Sequence, residues 1–332
     1  MNLSQKGQER LREIFKSESL NEQVIYNYFE FARDRHQAYL NRRAGLPRGE
    51  WTDNPIIREQ RFCNIFREYD RLTEYYLNHI VPNYSGTFRE LNQQELIFAT
   101  TFSRIFNNEE FLRAVGVIRL DDPDKEKERI LGIISDRLKR KLPVYATAYY
   151  TYGCMSYKTG TKELDSKAHN TVRGMFQDFV PKLPDITWKI LGERDLYVAR
   201  KHLMGSFRGI GDFISMEVLY HLTMIPVDWI NLDINSWMSP GIGPRIFCNY
   251  LFKCNVGKET LALYSSSKTS GTLITIYKNW DELCRLLDIE VPLQDDERIN
   301  YLVVENIACE ASKYHRFKTY GCKGGRKFLP RS

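Results

Sequence analysis

The chain has 332 residues, of which 42% are hydrophobic and 13% aromatic, and its formal net charge is +6. This composition is typical of a globular protein and excludes a largely disordered chain. The moderate positive charge suits a polyanionic partner without requiring one.

The cysteines and the apolar runs narrow the class of protein further. Seven cysteines are scattered along the chain without a CxxC pair, so neither a zinc ribbon nor a disulfide framework is indicated. We predict no metal site and no cofactor. The N-terminus lacks the apolar core of a signal peptide, and no run of eighteen apolar residues occurs. These features predict a cytoplasmic protein without a membrane partner.

Residues 1–50 form a predicted N-terminal helical extension. Apolar residues at helical spacing run through residues 3–45 and predict one long helix or two. The break lies near the sequence KSESLN, where Ser17 or Ser19 could cap the second helix. Residues 45–56 contain two prolines and several turn residues, which predict a loop.

Residues 61–80 are the most informative stretch of the first half. Their apolar residues recur at spacings of three and four, which predicts one helix that ends at Pro82. The opposite face carries Asn64, Arg67 and Arg71, with Asp70 at its margin. A polar helix face is commonly only solvated. These residue types could also hold a phosphate and a base edge together, because Arg offers a planar fork of donors.

The middle of the chain is predicted to be helical apart from one segment. Residues 144–153 are rich in aromatic and β-forming residues, and composition alone predicts a strand there. An acidic start at residues 121–128 offers Asp121 to Asp124 as helix caps. Apolar residues at helical spacing mark the remaining stretches: residues 90–116, 129–142, 166–183 and 194–206.

Residues 202–225 have the pattern of a helix-hairpin-helix. A helix ends near Met204, and a new one begins at Asp212 or Phe213. The turn between them contains Gly205, Gly209 and Gly211. Such a turn leaves backbone N–H groups free to bind a DNA phosphate without reading sequence. The predicted DNA contacts are Arg208, Gly209 and Gly211. The alternative is an ordinary helical hairpin whose glycines only allow close packing.

Two aspartates follow the hairpin at a suggestive distance. Asp228 and Asp233 lie nineteen and twenty-four residues after Gly209. DNA glycosylases with this hairpin carry a catalytic Asp beyond the glycines, at the start of a later helix. Either aspartate could occupy that position, and either could be a plain helix cap.

A glycine-rich loop and an acidic helix complete the motifs. Pro240 to Pro244 could cradle a diphosphate at the start of a helix, with Arg245 as the countercharge. The chain has no GxxxxGK[ST] motif, which argues against a nucleotide-dependent kinase. Near the C-terminus, a predicted helix places a carboxylate pair beside a Lys and an Arg, although a helix laced by salt bridges is the alternative. Its polar residues are Glu305, Glu310, Lys313, Tyr314 and Arg316.

Four segments in this order resemble a known family. They are N-x-x-R-x-x-D-x-x-T from Asn64 to Thr73, R-x-F-N from Arg104 to Asn107, the stretch from Asp233 to Arg245, and E-x-x-x-C-E-x-x-K-Y-x-R from Glu305 to Arg316. The family comprises the amino acid:DNA transferases of phage DNA, also called alpha-glutamyl/putrescinyl-thymine pyrophosphorylases. It is related to the helical domain of 5-hydroxymethyl-deoxyuridine DNA kinases. The sequence departs from the family pattern at Cys63, Ile242 and Pro244.

The resemblance implies a mainly α fold of the helix-hairpin-helix DNA glycosylase type. It favours a helical course near Ala148 and Tyr149 over the strand that composition predicts. We therefore expect residues 1–332 to form a single mainly helical catalytic domain, which a cleft could divide into two lobes. Residues 317–332 would form a basic tail that lies against DNA or hangs free.

The resemblance also implies a reaction. An amino acid or polyamine would displace the diphosphate of 5-diphosphooxymethyl-deoxyuridine in double-stranded DNA, after a companion kinase has phosphorylated 5-hydroxymethyl-uracil. The candidate general bases are Asp70, Asp233, Glu305 and Glu310. The candidate substrate and diphosphate contacts are Asn64, Arg67, Arg71, Tyr149, Arg245, Lys313, Tyr314 and Arg316. The alternatives are a DNA glycosylase that acts on a modified pyrimidine, and a non-catalytic DNA-binding module that partners a base kinase.

Overall fold

The computed structural model describes residues 3–85, 90–146, 166–206, 208–252 and 264–321. The described residues are mainly helical and contain no strand, which confirms the predicted mainly α class. The first helices are α1 (Gln5–Phe15), α2 (Glu22–Arg43), α3 (Pro55–Glu59), α4 (Arg71–Tyr75), α5 (Pro82–Ser85), α6 (Glu90–Phe106), α7 (Glu109–Val115) and α8 (Pro123–Lys139). They are followed by α9 (Lys167–Gly174), α10 (Leu183–Leu191), α11 (Leu196–Leu203), α12 (Asp212–Thr223), α13 (Ile242–Leu251), α14 (Ser266–Lys278), α15 (Trp280–Leu287) and α16 (Tyr301–Tyr320).

The chain divides into two compact units. Residues 1–67 and 238–332 form one of them, which we call the discontinuous unit, and residues 68–237 form the other, the central unit. One catalytic domain can comprise two compact units, so the single catalytic domain stays a prediction. None of the described helices combines the length and apolar character that a membrane span needs.

The long helix α16 is the core of the discontinuous unit. It packs against α2, α13 and α14. The side chain of Asn300 caps its first turn by accepting from the N–H of Val303, and Gly321 ends it with a φ of 56°. Most residues of α16 are buried, so a buried polar side chain on this helix needs a partner within the protein.

The N-terminal helices agree with the two-helix option. Helix α1 ends at Phe15 and α2 begins at Glu22. The predicted caps were wrong, because Asn21 occupies the N-cap of α2 and its side chain makes no capping hydrogen bond. The N–H of Asn21 instead donates to the carbonyl oxygen of Leu251, at 2.6 Å.

Residues 61–80 do not form one helix, and this prediction was wrong. Residues 61–66 are irregular, a 3-10 turn covers Arg67–Tyr69, and α4 is followed by a π turn at Tyr76–Ile80. Pro82 begins α5 and does not end a helix. The apolar side chains at positions 62, 65 and 66 are nevertheless buried. Their spacing therefore reflected burial in a core and not helical periodicity.

The central unit is built around α6, which packs against α10 and α12. The predicted helix at residues 90–116 is interrupted, because Asn107 adopts a φ of 46° and Asn108 caps α7 through its side chain. The expected cap of α8 is confirmed at Asp122, whose carboxylate accepts from the N–H of Lys125. Tyr149 and most of the predicted strand lie outside the described residues.

Candidate functional site

Two buried carboxylates on α16 dominate the polar part of the discontinuous unit. Glu305 and Glu310 are 7% and 3% exposed. Glu305 accepts a hydrogen bond from the backbone N–H of Gly241, at 3.3 Å. Glu310 accepts from the backbone N–H of Cys63, at 3.3 Å, and from Lys313 Nζ, at 2.5 Å. The two carboxylates therefore connect α16 to two loops. Salt bridges confined to the surface of one helix would not make such connections.

The charge states of two neighbouring side chains follow from these carboxylates. Burial opposes the charge of Lys313, but the negative charge of Glu310, its hydrogen bond to Lys313 and the neighbouring thiols together raise the pKa of the ammonium. Burial, reinforced by Glu310 and Glu305, raises the pKa of the Cys309 thiol well above its ordinary value. Lys313 is thus a cation at neutral pH, and Cys309 is a neutral thiol. The Lys313 side chain is 44% exposed, so its ammonium can meet a ligand.

The glycine-rich loop packs directly on this part of α16. A Cβ atom at Gly243 would lie 2.4 Å from the Sγ atom of Cys309 and 3.0 Å from its Cα, so the approach requires glycine. Gly241 occupies the N-cap of α13, and Pro244 is buried. The loop consequently places the start of α13 beside the Glu305 carboxylate. A helix N-terminus of this kind favours negative charge.

Two predicted cations of the discontinuous unit are held by protein atoms. Arg245 donates through Nε to the carbonyl oxygen of Tyr264, at 2.7 Å. Arg67 Nη1 lies 4.0 Å from the Sγ atom of Cys63. Arg316 is exposed on the last turns of α16. The first two guanidinium groups therefore have fixed positions, whereas Arg316 points to the surface.

The segment around Asn64 is held by two side chains that match no defined position of the sequence motifs. Arg35 of α2 donates to the carbonyl oxygen of Cys63, at 3.0 Å, and to Asn64 Oδ1, at 2.5 Å. Asn306 of α16 donates to the carbonyl oxygens of Asn64 and Ile65, at 2.6 and 3.1 Å. Asn64 is only 4% exposed. Its amide oxygen is bound inside the protein by Arg35, and its contact with substrate stays a prediction.

Tyr314 is buried within the same unit. Its ring is 1% exposed and packs against Phe31 and Phe62, with ring centroids 5.7 and 6.4 Å apart. Its hydroxyl donates to Glu30 at 2.6 Å and accepts from Asn54 at 2.7 Å. The ring and the hydroxyl are thus both engaged within the protein, and the substrate contact of Tyr314 stays a prediction. In this position Tyr314 supports α2 and the loop before α3.

In the central unit, Asp70 and Arg71 lie at the start of α4. Asp70 is at the N-cap position, but its side chain makes no capping hydrogen bond. Arg71 forms an ion pair with Glu109, including an Nη2 to Oε1 contact of 3.3 Å. Glu109 also pairs with Arg113, at 2.8 Å. Glu109 is thus shared by two guanidinium groups, and the Arg71 side chain stays largely exposed. The diphosphate contact of Arg71 stays a prediction.

The predicted hairpin has the expected helix boundaries. Helix α11 ends at Leu203 and α12 begins at Asp212, with Gly211 as an N-cap that has no capping side chain. The turn is closed by the N–H of Gly205, which donates to the carbonyl oxygen of Ile210 at 3.4 Å. Arg208 and Gly211 are exposed and Gly209 is half-buried. The DNA contact of this turn remains a prediction.

Neither candidate aspartate lies at the start of a helix. Asp228 is exposed in a turn. Asp233 is also exposed, and its Oδ1 atom accepts from the N–H of Asn235 at 2.8 Å. The backbone of Asp233 forms an isolated bridge with Asp195. Since the next helix begins only at Ile242, the predicted helix-start position and the helix-cap alternative were both wrong.

Arg104, which belongs to the R-x-F-N segment, forms an ion pair with Glu217 in the central unit. The two residues are 3% and 4% exposed. A buried pair of this kind links α6 to α12 and would be costly to break. Among the residues that the structure describes, no group of three or more His, Cys, Asp or Glu could hold a metal ion.

Comparison with known proteins places the chain in a family. Residues 22–324 match the family described as 5-hmdU DNA kinase, helical domain. A 5-hmdU DNA kinase of Bacillus phage SP10 is 21% identical over 277 residues, which cover 80% of this chain and 41% of that relative. The chain thus spans about two fifths of the relative's length. No solved structure matches. Because the match extends over most of its length, the chain belongs to the 5-hmdU DNA kinase helical-domain family.

Proposed function

We propose that the chain is a transferase that replaces the diphosphate of 5-diphosphooxymethyl-deoxyuridine in phage DNA with an amine, releasing pyrophosphate. The observation that carries this proposal is the juxtaposition of Glu305 with the start of α13. A carboxylate that can take a proton lies beside a helix N-terminus that favours an anion. Amine transfer with loss of pyrophosphate needs both properties in one place.

Glu305 is the strongest candidate for the general base. It is buried and lies in the same unit as Lys313. Glu310 holds Lys313 and accepts from the N–H of Cys63, which suits a positioning role. Asp233 is exposed, and its carboxylate accepts from the N–H of Asn235. Glu305 would receive the proton of the amine as its nitrogen bonds to the methylene carbon and the carbon–oxygen bond to the diphosphate breaks.

Lys313 is the strongest candidate for the diphosphate contact. It is cationic, partly exposed and fixed by Glu310. Arg67 and Arg245 lie in the same unit and would add positive charge as the leaving group departs. We assign no role in the reaction to Arg71, which shares Glu109 with Arg113, or to Arg316, which is exposed on the last turns of α16.

The partners follow from this reaction. The chain would act on double-stranded DNA, with the hairpin contacts at Arg208, Gly209 and Gly211 on phosphates. It would take a small amine or amino acid as co-substrate. The named relative is a 5-hmdU DNA kinase longer than this chain, which favours a companion base kinase that supplies the phosphorylated base. We expect the reaction in the cytoplasm of the host cell.

The proposal is tested with duplex DNA that carries 5-diphosphooxymethyl-deoxyuridine. The DNA is incubated with the protein and a mixture of amino acids and polyamines, digested to nucleosides and analysed by mass. An adduct of the thymidine methyl carbon with one amine is the expected product. Abasic sites would show a glycosylase instead. DNA that binds but returns unchanged would show a binding module.

A further inference from the structure

Ile242 has an exposed side chain on a backbone segment that is fixed to the rest of the protein. Its side chain is 65% exposed, more than any other aliphatic residue in the described part of the chain. Leu46, Leu138 and Leu293 are only 37–40% exposed. Burial of isoleucine in a core would have favoured folding. Single exposed apolar side chains are common on protein surfaces, and what distinguishes Ile242 is the fixed backbone that carries it.

The backbone on both sides of Ile242 is fixed to the protein. On one side, the N–H of Gly241 donates to Glu305 at 3.3 Å. On the other, Gly243 is pressed against Cys309, and Pro244 is buried. The Ile242 side chain therefore extends from a backbone segment whose position is fixed. The same backbone segment binds Glu305, the carboxylate that we propose as the general base of the reaction.

We infer that Ile242 is an apolar wedge that enters the base stack of duplex DNA when the modified base leaves it. This inference rests on the proposed function, because the reacting carbon must come out of the duplex to reach Glu305. Proteins that distort DNA insert apolar side chains of this type between base steps. A β-branched side chain is also stiff at χ1, so it does not fold away from the stack.

A wedge makes a prediction that distinguishes duplex from single-stranded substrate. Ile242→Ala should lower kcat/KM on modified duplex DNA about tenfold, because alanine is too short to enter the base stack. This factor corresponds to about 1.4 kcal/mol of lost transition-state stabilisation. On single-stranded DNA of the same sequence the variant should remain within about twofold of the wild type, since no stack needs to be opened. Ile242→Leu, which keeps an apolar side chain, should retain duplex activity. Leu293→Ala is the matched control, with an exposed aliphatic side chain in the same unit.

A second measurement, of fluorescence on binding, tests the wedge without requiring the protein to complete a reaction. Duplex DNA with 2-aminopurine next to the modified base should brighten when wild-type protein binds, and brighten much less with Ile242→Ala at equal occupancy. Equal activity losses on duplex and single-stranded DNA would overturn the wedge, as would full duplex activity of the variant. If no protein transfers an amine but the fluorescence difference appears, the reaction is wrong and the wedge stands. If the wild-type protein gives no fluorescence change on bound duplex, the wedge is refuted.

Discussion

Two non-helical segments of this helical protein are held in place in different ways. The first is residues 62–65 of the discontinuous unit. Its backbone groups bind side chains that come from elsewhere in the sequence: Arg35 of α2, and Asn306 and Glu310 of α16. The segment has no regular structure of its own, so its position is fixed almost entirely by tertiary contacts.

The second segment is the hairpin loop at residues 204–211 of the central unit. Among its described residues, two local backbone hydrogen bonds close the loop, from Gly205 to Ile210 and from Ser206 to Leu203. One distant side chain contributes, since Lys182 Nζ donates to the carbonyl oxygen of Ser206 at 2.7 Å. A loop closed by its own backbone can form early and tolerate changes around it.

The difference suggests a division of labour. A reaction centre needs side chains held by surrounding structure, because small displacements cost rate. A contact to the DNA backbone needs only exposed N–H groups and a cation. The side-chain-held segment adjoins Glu310 and suits the first task, and the locally closed hairpin suits the second. The four predictions that follow test this division, from the largest expected effect to the smallest.

Removal of the Arg35 guanidinium should have the largest effect on stability. Arg35→Met leaves the carbonyl oxygen of Cys63 and the amide oxygen of Asn64 without their donor, which should lower the free energy of unfolding by about 3 kcal/mol. Urea denaturation measures this. Arg33→Met is the control on the same helix, since its ion pair with Asp34 is partly exposed and should be worth less than about 1 kcal/mol. Equal effects of both variants would show that the segment is not held as described.

A side chain at Gly243 should separate α13 from α16. Gly243→Ala places a methyl group against Cys309 and should destabilise the protein by about 2 kcal/mol. In Gly271→Ala, the new methyl group meets no atom within 4 Å and lies within a helix. This control should be stabilised by up to about 1 kcal/mol. Cys309→Ala in the Gly243→Ala background should recover part of the loss, and failure to do so would contradict the close packing.

The hairpin should respond more weakly to substitution. Gly205 has a φ of 74° with no atom within 4 Å of the position of a Cβ. Gly205→Ala should therefore cost about 1 kcal/mol through backbone strain alone. Thermal unfolding followed by circular dichroism gives the change. A loss as large as that of Arg35→Met would mean that the hairpin also depends on contacts far from its own backbone.

Substitution of Arg208 should weaken DNA binding. Loss of one phosphate contact in Arg208→Ala should reduce the slope of log K against log salt concentration by about 0.9 for duplex DNA. Lys189→Ala is the control, since this exposed lysine on α10 pairs with Asp185. Fluorescence anisotropy over a series of salt concentrations gives both slopes. An unchanged slope for Arg208→Ala would remove the hairpin from the DNA contact.

The sequence predicted local features well because they depend on neighbours in the chain. The i, i+3 pair of Glu310 and Lys313 and the cap at Asp122 follow from helix geometry. The irregular course of residues 61–66 and the enclosure of Tyr314 depend on α2, which lies far away in sequence. The sequence contains one indication of these distant contacts: Asn306 is a polar residue within an apolar stripe.

The most direct test of the proposed transfer counts both products in the same reaction. Pyrophosphate and the amine–nucleoside adduct are measured together on modified duplex DNA, with wild type and Glu305→Gln. We predict one pyrophosphate for each adduct, and a decrease of both by about 100-fold or more in Glu305→Gln, because a general base contributes at least that factor. Glu290→Gln, at an exposed position of the same unit, should change neither. Pyrophosphate without an adduct, or full activity of Glu305→Gln, would contradict the account.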